Sequence, residues 1–253
     1  MPELLKAVRM EHEITGHSLK AYKIAKNTSM SVWEKVKEIG IEVVIIVFAV
    51  SLAAYLERWK EHNHEQADAK EFLMGLKTDL QHDITEMQED KVSYNMSGRA
   101  FRYISSLPVG DSLRVDSMRI YSKFINNSTG LIANSGRYEG FKSSGKIMTI
   151  ENKELQNDIM DLYQENIPNL LLSTNYYTKR KELLWEFIAQ HKIRDKNGTS
   201  NMRQVLEMDV VKNLGEGLSY TDEIIERYDS TISKSKRIVA QIDEKYGIES
   251  ASH

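Results

Sequence analysis

Apolar residues are concentrated in one early segment of the chain and afterwards recur at helical spacing. Between residues 39 and 56 the sequence reads IGIEVVIIVFAVSLAAYL, with Glu42 as its single charged residue. The flanking Trp33 and Trp59 are separated by roughly 39 Å of helix at about 1.5 Å per residue, close to the thickness of about 40–45 Å of a bilayer with its headgroups. Because tryptophan favours both interfaces of a membrane, the pattern predicts one transmembrane helix over residues 34–58.

A cleaved signal peptide is the alternative interpretation, since Ser51-Leu52-Ala53 resembles a small-x-small cleavage site. Such peptides are about 15–30 residues long, whereas here the apolar core begins only at residue 39, so an uncleaved anchor is favoured. Five lysines in residues 20–38 against three cations in residues 57–75 predict a cytoplasmic N-terminus. We therefore expect an inner-membrane protein with residues 1–33 in the cytoplasm and residues 59–253 in the periplasm of a Gram-negative cell.

Glu42 and the N-terminal tail each have two interpretations. Ionisable residues inside a membrane pair with a partner or line an ion pathway. Alternatively, Glu42 lies close to the cytoplasmic end of the span and its carboxylate snorkels to the headgroups, and we favour this second interpretation. The tail mixes apolar residues with lysines and histidines, which indicates either an amphipathic helix on the inner leaflet or a short solvated helix.

After the span, apolar residues recur every seven positions and form what we term the stalk seam. Its members are Leu52, Trp59, Leu73, Leu80, Met87, Tyr94 and Phe101, with Gln66 interrupting the series. A second stripe begins with Leu76 and Ile84 and is interrupted by Asp90 and Ser97. Heptad spacing is typical of helices that pack along one another, so the membrane helix is expected to continue as a stalk to about Leu107.

The rest of the chain predicts further helices separated by turns. Residues 108–111 form a turn, a helix follows at 112–127, and the glycine-rich residues 126–145 are expected to form a loop. The next helix begins near Asn152, and Pro168 is expected to kink it or split it.

The C-terminal third predicts three helices. In residues 169–192 the expected apolar face contains Leu172, Tyr176, Leu183, Leu184, Phe187 and Ile188. A short helix over residues 200–213 is expected to end at Gly215-Glu216-Gly217, and Ser219 to cap the last helix. That helix places Ile225, Ile232, Val239 and Tyr246 seven residues apart on one face, with Tyr228 and Ile242 between them. The predicted fold class is all-α, with a single transmembrane helix continuing into an exported antiparallel helical bundle.

Composition narrows the possible functions. The chain has 253 residues, a formal net charge of -3 and no cysteine. The absence of cysteine excludes disulfides, thiolate metal sites and a cysteine nucleophile. The net charge gives no reason to expect nucleic acid as a partner.

Three short motifs resemble functional sites, but each lacks a residue or a geometry that the corresponding chemistry requires. Gly140 to Lys146 resembles a phosphate-binding loop, but the next residue is Ile147, which cannot bind magnesium as serine or threonine does. Ser143-x-x-Lys146 lacks the partner motifs of penicillin-recognising enzymes. His62 and His64 lie on different faces of a helix, so one metal ion would need a second chain. We therefore predict no catalytic, cofactor-binding or metal-binding residues and no enzymatic activity.

Two stretches carry a resemblance to a known family. The apolar helix that ends in Trp59, the charged linker and the helix with Phe72-Leu73, Leu76 and Asp79-Leu80 resemble the signature of the DUF6090 family. Residues 144–155, SGKIMTIENKEL, followed by a helix with Tyr163, are similar to its second motif. The resemblance covers residues 30–190 and implies a one-pass membrane protein of unknown function, common in Bacteroidota.

Two functions follow from these observations. The first is a non-enzymatic, membrane-anchored scaffold or accessory subunit of an inner-membrane or periplasmic complex, whose partners are the lipid bilayer and either another protein or a second copy bound through the stalk. The second is a one-pass sensor that relays a periplasmic signal. The short tail has no room for an output domain, so a sensor would need a separate cytoplasmic partner, and the first function is favoured.

Overall fold

The computed structural model describes residues 31–106, residue 127 and residues 129–247. In these ranges the secondary structure is helical apart from one isolated β-bridge between Arg194 and Ser200. The predicted all-helical class is therefore confirmed. The predictions for the N-terminal tail, the turn at 108–111 and nearly all of the helix at 112–127 lie outside the described residues.

The first helix, α1 (Val32–Ser105), is 74 residues long. Its residues belong to two compact units, one ending at Ala67 and the other beginning at Asp68. This division reflects packing and does not test the predicted limits of the transmembrane segment at residues 34–58 and of the exported part at residues 59–253, which stay predictions.

In unit 1, the part of α1 from Val43 to Leu56 has no charged residue and is largely exposed. Val44, Phe48 and Tyr55 are each about two-thirds exposed, and only 6% of the most apolar window is buried within the protein. This low burial distinguishes the segment from the core helix of a soluble domain, whose apolar side chains pack against other elements. By length and composition, this helix can cross a membrane.

Unit 2 contains the remainder of α1 and eight further helical elements in its described residues. They are α2 (Gly136–Ser143), a 3₁₀ turn (Lys146–Thr149), α3 (Lys153–Asp161), a π-helical segment (Leu162–Asn166), α4 (Ile167–His191), α5 (Met202–Leu206), α6 (Asp209–Ser219) and α7 (Asp222–Tyr246). Their buried apolar side chains form one core with α1.

The long helices of unit 2 do not all alternate in direction. The ring of Tyr94 contacts that of Tyr177, and further along both helices Lys181 lies over the ring of Phe101, so α1 and α4 run in the same direction. Lys77 pairs with Asp243 and Lys91 with Asp229, so α7 runs opposite to α1. The expected antiparallel arrangement therefore holds for α1 with α7 and is wrong for α1 with α4.

The buried face of α1 follows a strict alternation of three and four residues. Its buried members are Leu73, Leu76, Leu80, Asp83, Met87, Tyr94, Ser97, Phe101 and Ile104, and the half-buried Asp90 holds the position between Met87 and Tyr94. The second stripe thus continues through Asp83, whereas Ile84 is half-buried beside it. The expectation that Asp90 and Ser97 interrupt this stripe is corrected, because both follow the same spacing: Asp90 accepts a hydrogen bond from Tyr228, and Ser97 is buried.

The buried faces of α4 and α7 agree with the predicted ones only in part, since Leu184, Ile188, Tyr228, Ile232 and Ile242 are buried as predicted and other predicted members are not. In α4 the core residues are Ile167, Leu170, Thr174, Tyr177, Lys181, Leu184 and Ile188. In α7 they are Ile224, Tyr228, Thr231, Ser235, Ile238 and Ile242, with Ile232 at the edge. Leu172, Tyr176 and Leu183 are exposed. Polar residues occupy part of the buried face of each helix. A prediction from the apolar residues alone therefore included residues beside that face.

Residues 126–145 were expected to form a loop, and only part of them does. Residues 129–135, which we term the strap, lie along α1 with Leu131 buried and Ile132 exposed. The strap is followed by α2, which packs Tyr138 into the core. Stacking of Phe141 on Phe72, with 4.0 Å between ring centroids, fixes α2 against α1. The glycines did not prevent a helix because these aromatic contacts stabilise it.

The chain does not split at Pro168. In an α-helix, proline lacks the N–H donor and its ring clashes with the carbonyl four residues earlier. Here the π-helical segment precedes Pro168, and the N–H of Ile167 bonds to the carbonyl of Leu162, five residues back. The wider turn accommodates the ring, so α3, the π-helical segment and α4 are continuous.

Two further predictions about helix ends are wrong, namely that a helix ends at Gly215-Glu216-Gly217 and that Ser219 caps the last helix. Gly215 and Gly217 lie inside α6, where they allow close packing: a Cβ on Gly217 would lie 2.5 Å from an Nη atom of Arg180. Ser219 is the last residue of α6, and Thr221 precedes α7. Glycine here serves helix contact and not helix termination.

Gly98 brings α1 against the junction of α6 and α7. A Cβ at this position would lie 2.9 Å from Thr221 Oγ1 and 3.1 Å from the carbonyl oxygen of Ser219. We expect Gly98→Ala to lower the free energy of unfolding by about 1–3 kcal/mol, since backbone must move. Gly140→Ala, which meets nothing within 4 Å, should be neutral or stabilising by up to about 1 kcal/mol. Denaturant unfolding of both variants checks this, and equal stability of the two would contradict it.

Candidate functional site

The candidate site is the polar centre of the bundle in unit 2, where charged and hydroxyl side chains occupy core positions. The members are Asp83, Asp90 and Ser97 of α1, Thr174 and Lys181 of α4, and Thr231 and Ser235 of α7. The hydroxyls of Thr174, Thr231 and Ser235 donate to carbonyls of their own helices, a common local solution. The charged residues instead depend on partners from other elements.

Three tyrosines form the middle of this site. The ring of Tyr94 meets Tyr177 edge-on with 5.3 Å between centroids, and Tyr228 with 5.7 Å. The Tyr94 hydroxyl donates to the carbonyl of Thr129 in the strap at 2.6 Å, and the Tyr177 hydroxyl to that of Leu218 at 3.0 Å. Burial raises the pKa of all three phenols. The tyrosines therefore stay protonated and link α1, α4, α6, α7 and the strap.

Asp90 receives its hydrogen bond from the third tyrosine. The Tyr228 hydroxyl donates to a carboxylate oxygen of Asp90 at 2.9 Å. Burial raises the pKa of Asp90, and the bond from Tyr228 offsets part of this rise. Asp90 and Tyr228 thus form one pair between antiparallel helices, in which the phenol supplies the proton and the carboxyl accepts.

Asp83 holds the strap in place. Its carboxylate accepts bonds from both the main-chain N–H and the side-chain amide of Asn134, the latter at 2.6 Å. One turn further along α1, Glu86 accepts from the main-chain N–H of Ile132 at 3.0 Å. Burial raises the pKa of Asp83, and the bonds from Asn134 oppose this rise. An extended segment without a sheet thereby has its N–H groups satisfied by α1.

Lys181 is the buried cation of the site. Its side chain is 8% exposed, and its ammonium donates to the main-chain carbonyl of Asn127. Burial lowers the pKa of Lys181 to about 8. A small cavity of about 10 Å³ adjoins the ammonium, with Ser97, Thr129 and Thr178 among its lining residues.

A second charged group lies apart from this centre, between α3 and α7. Burial would raise the pKa of Asp158, but hydrogen bonds from Lys234 and Arg237 outweigh burial and lower it. The Lys234 ammonium also lies 3.3 Å from Asp161. Asp158 is thus a paired structural carboxylate that holds α3 on α7, not a proton donor or acceptor near neutral pH.

The residues of the phosphate-loop-like motif line a surface cleft of about 380 Å³ together with Asp68 and Phe72. Gly140 to Ser143 form the end of α2 and not a loop before a helix. The Lys146 ammonium pairs with Asp68 at 2.7 Å, and the Ser143 hydroxyl donates to the carbonyl of Glu139. These contacts give the motif a structural role in joining α2 to α1.

The residues predicted from sequence fall into two groups. The stalk-seam residues Leu73, Leu80, Met87, Tyr94 and Phe101 are all buried in the core of unit 2. Trp33 and Trp59 of unit 1 are exposed by 82% and 59%, whereas Glu42 is 8% exposed. His62 and His64 are exposed. Only Tyr94 and Phe101 of the predicted residues border the polar centre.

Sequence reasoning missed Asp83, Tyr177, Lys181 and Tyr228 as members of a site. A detectable signal was present: Asp83, Asp90 and Ser97 continue the seven-residue spacing of Leu76. Lys181 likewise stands where the pattern of α4 requires a core residue. Core positions assigned from the helical spacing alone, whatever the residue type, would have included these residues.

Comparison with known proteins identifies one family. A model described as "Family of unknown function (DUF6090)" matches residues 42–186, more than half of the chain. The match includes Glu42, the whole seam of α1, the strap and Lys181. No curated protein and no solved structure matches the chain.

Replacing Lys181 by methionine tests the cost of its burial. A folded-state pKa of about 8 against about 10.4 for free lysine means that the charged side chain destabilises the fold fully below pH 8, and that this loss disappears as pH rises to about 10. We expect Lys181→Met to raise the free energy of unfolding at pH 7 and low salt by about 1–3 kcal/mol. The stability gain of the wild type between about pH 8 and 10 should be absent in the variant.

Chemical denaturation of the detergent-solubilised chain at both pH values measures this difference. Lys179→Met, an exposed position on the same helix, is the matched control and should change neither value by more than about 0.5 kcal/mol. A Lys181→Met protein that is less stable than wild type at pH 7 would show that the ammonium is a net stabilising group.

Proposed function

This chain belongs to the DUF6090 family of unknown function, and we propose that it is a non-enzymatic, membrane-anchored scaffold or accessory subunit. In this proposal α1 crosses the inner membrane once, residues 1–33 are cytoplasmic, and unit 2 is a periplasmic domain. The domain presents a partner-binding surface at the membrane, either to another protein or to a second copy of the chain.

The observation that carries the anchor is the exposed apolar surface of unit 1. Between Val43 and Leu56 the large apolar side chains other than the half-buried Ile46 remain more than two-fifths exposed. Burying such a surface in lipid is favourable by about 25 cal/mol per Å². The flanking Trp33 and Trp59 support the same placement, since their indoles suit the headgroup layer.

The scaffold role is supported by how the polar groups of unit 2 are used. Asp83, Asp90 and Asp158 accept bonds that join α1, the strap, α3 and α7. Polar groups that make tertiary contacts stabilise the arrangement of the helices, whereas catalytic groups need to face a substrate. A domain stabilised in this way is suited to presenting a surface.

One observation favours a sensor as the second candidate. α1 is continuous from Val32 to Ser105, so the helix proposed to cross the membrane also carries the core seam of unit 2. A ligand or partner that shifts the packing of that seam would act on the same helix that enters the bilayer. Such a signal would have to be read by a separate cytoplasmic protein.

Reporter fusions test the proposed topology. A fusion of alkaline phosphatase after His253 should be active, because this enzyme requires export, and a fusion before Pro2 should be inactive. Converting Lys35 and Lys37 to glutamate should reduce export of the C-terminal reporter, since the cation bias sets orientation. An inactive phosphatase and an active cytoplasmic reporter at His253 would reverse the proposed orientation.

Cysteine crosslinking tests self-association through the stalk. Leu73 is fully buried in unit 2 and is therefore unsuitable as a pairing position, which leaves Leu52 and Trp59 of the seam. Because the native chain has no cysteine, Trp59→Cys should form disulfide dimers in native membranes. Glu61→Cys, on the opposite face of the same turn, is the control. Equal crosslinking at both positions, or no crosslinking at either, would contradict self-association through the stalk.

A further inference from the structure

The surface cleft between α1 and α2 has the size of a small-molecule site. Its volume of about 380 Å³ falls within the range of about 300–1,000 Å³ that such sites occupy. The stacked rings of Phe72 and Phe141 form its apolar part. Gly136 and Gly140 also line it, and a Cβ at either position would meet no atom of the described residues within 4 Å. The lack of two side chains on this wall of α2 therefore keeps the cleft open.

One carboxylate of the cleft is not used by the fold. Two other carboxylates of α1 are paired with cations from the segment opposite: Asp68 with Lys146 at 2.7 Å, and Asp79 with Arg137 at 2.9 Å. Glu71 lies between these two acids in the sequence and is exposed on the wall of the cleft. Among the described residues, none forms a hydrogen bond or an ion pair with its carboxylate. Glu71 is therefore available to a cationic group of a ligand.

The guanidinium of Arg137 is used only in part. Its Nε donates to Asp79, whereas neither terminal nitrogen donates to a described residue. The guanidinium lies against Gly75, where a Cβ would collide with it. Gly75 follows Glu71 by one helical turn, a spacing that leaves about 5–6 Å between Cβ positions. The unpaired carboxylate of Glu71 and the unpaired nitrogens of Arg137 thus lie about one turn apart in the same cleft.

This arrangement complements a molecule that carries both charges. The two terminal nitrogens of an arginine bind a carboxylate through parallel N–H bonds, and a carboxylate accepts a charge-assisted bond from an ammonium. A ligand with only a negative charge would be repelled by Glu71, and a ligand with only a positive charge by Arg137. An α-amino acid carries its ammonium and its carboxylate on the same carbon atom, so it can reach both groups at once. The half-buried ring of Phe141 offers a surface for an apolar side chain.

We propose that this cleft binds a free α-amino acid with an apolar side chain. Glu71 accepts from the ammonium of the ligand, the terminal nitrogens of Arg137 donate to its carboxylate, and its side chain packs against Phe141. The ligand joins α1 to α2 and stabilises the folded state, since it binds only that state. The site goes beyond the proposed scaffold role and does not depend on it.

Isothermal titration calorimetry of the full chain in a nonionic detergent tests this proposal with L-leucine. Two analogues of similar size separate the two charges: isocaproate lacks the ammonium, and isoamylamine lacks the carboxylate. We expect L-leucine to bind, and each analogue to bind at least about tenfold more weakly, as for the loss of a charge-assisted hydrogen bond.

Three variants locate the site. Glu71→Gln should weaken L-leucine binding at least about tenfold and should not weaken the binding of isocaproate. Glu139→Gln, which removes an exposed acid of α2 outside the cleft, is the matched control and should bind L-leucine as the wild type does. Gly140→Leu should fill the cleft and abolish binding. Its melting temperature should not fall, because a Cβ there meets no described atom within 4 Å.

Several results would overturn the proposal. The first is the absence of any binding heat for L-leucine at millimolar concentration. The second is equal binding of L-leucine and isocaproate, or binding of L-leucine that persists in Glu71→Gln. A ligand-free Glu71→Gln protein that melts below the wild type would show that Glu71 already has a structural partner, and this result would also contradict the site.

Discussion

Unit 2 depends on one constraint, which is that the seam of α1 buries polar residues at regular intervals. Leu73, Leu80 and Met87 pack as in any helical core, but every seventh residue after Leu76 is Asp83, Asp90 or Ser97 until Ile104. A buried carboxylate without partners costs several kcal/mol. The other elements of the unit must therefore bring donors to these positions.

Each donor explains a feature of the fold. Asn134 donates to Asp83, and this contact, with that of Glu86 to Ile132, keeps the strap extended along α1. Tyr228 donates to Asp90 and so sets the register of α7. Such paired polar contacts add little net stability and act mainly by excluding alternative registers. An all-apolar seam would allow neighbouring helices to slide by one heptad, whereas these pairs permit one alignment.

Lys181 is a buried cation among these carboxylates and hydroxyls. Its ammonium donates to the main-chain carbonyl of Asn127, which precedes the strap, and so links α4 to this segment. Burial lowers the pKa of this lysine.

The family assignment, the apolar segment and the all-helical class were accessible from sequence, because each depends on local spacing or on a run of one residue type. The beginning of α3 after Asn152 and the turn around Gly198 were likewise predictable, since a side-chain cap and a positive φ angle are local features. Burial of the stalk-seam residues Leu73, Leu80, Met87, Tyr94 and Phe101 also followed from their spacing.

Only the tertiary structure decided which faces of α4 and α7 are buried, that α1 and α4 run in the same direction, and that a π-helical segment precedes Pro168. Sequence patterns rank positions by apolarity, so they place Leu172 and Tyr176 in the core and leave Thr174 and Lys181 outside. The reverse is observed, because Thr174 donates to the carbonyl of Leu171 in its own helix and Lys181 donates to the carbonyl of Asn127, far away in sequence. That compensation exists only once the helices have packed, and the polar centre is therefore a property of the fold and not of any single segment.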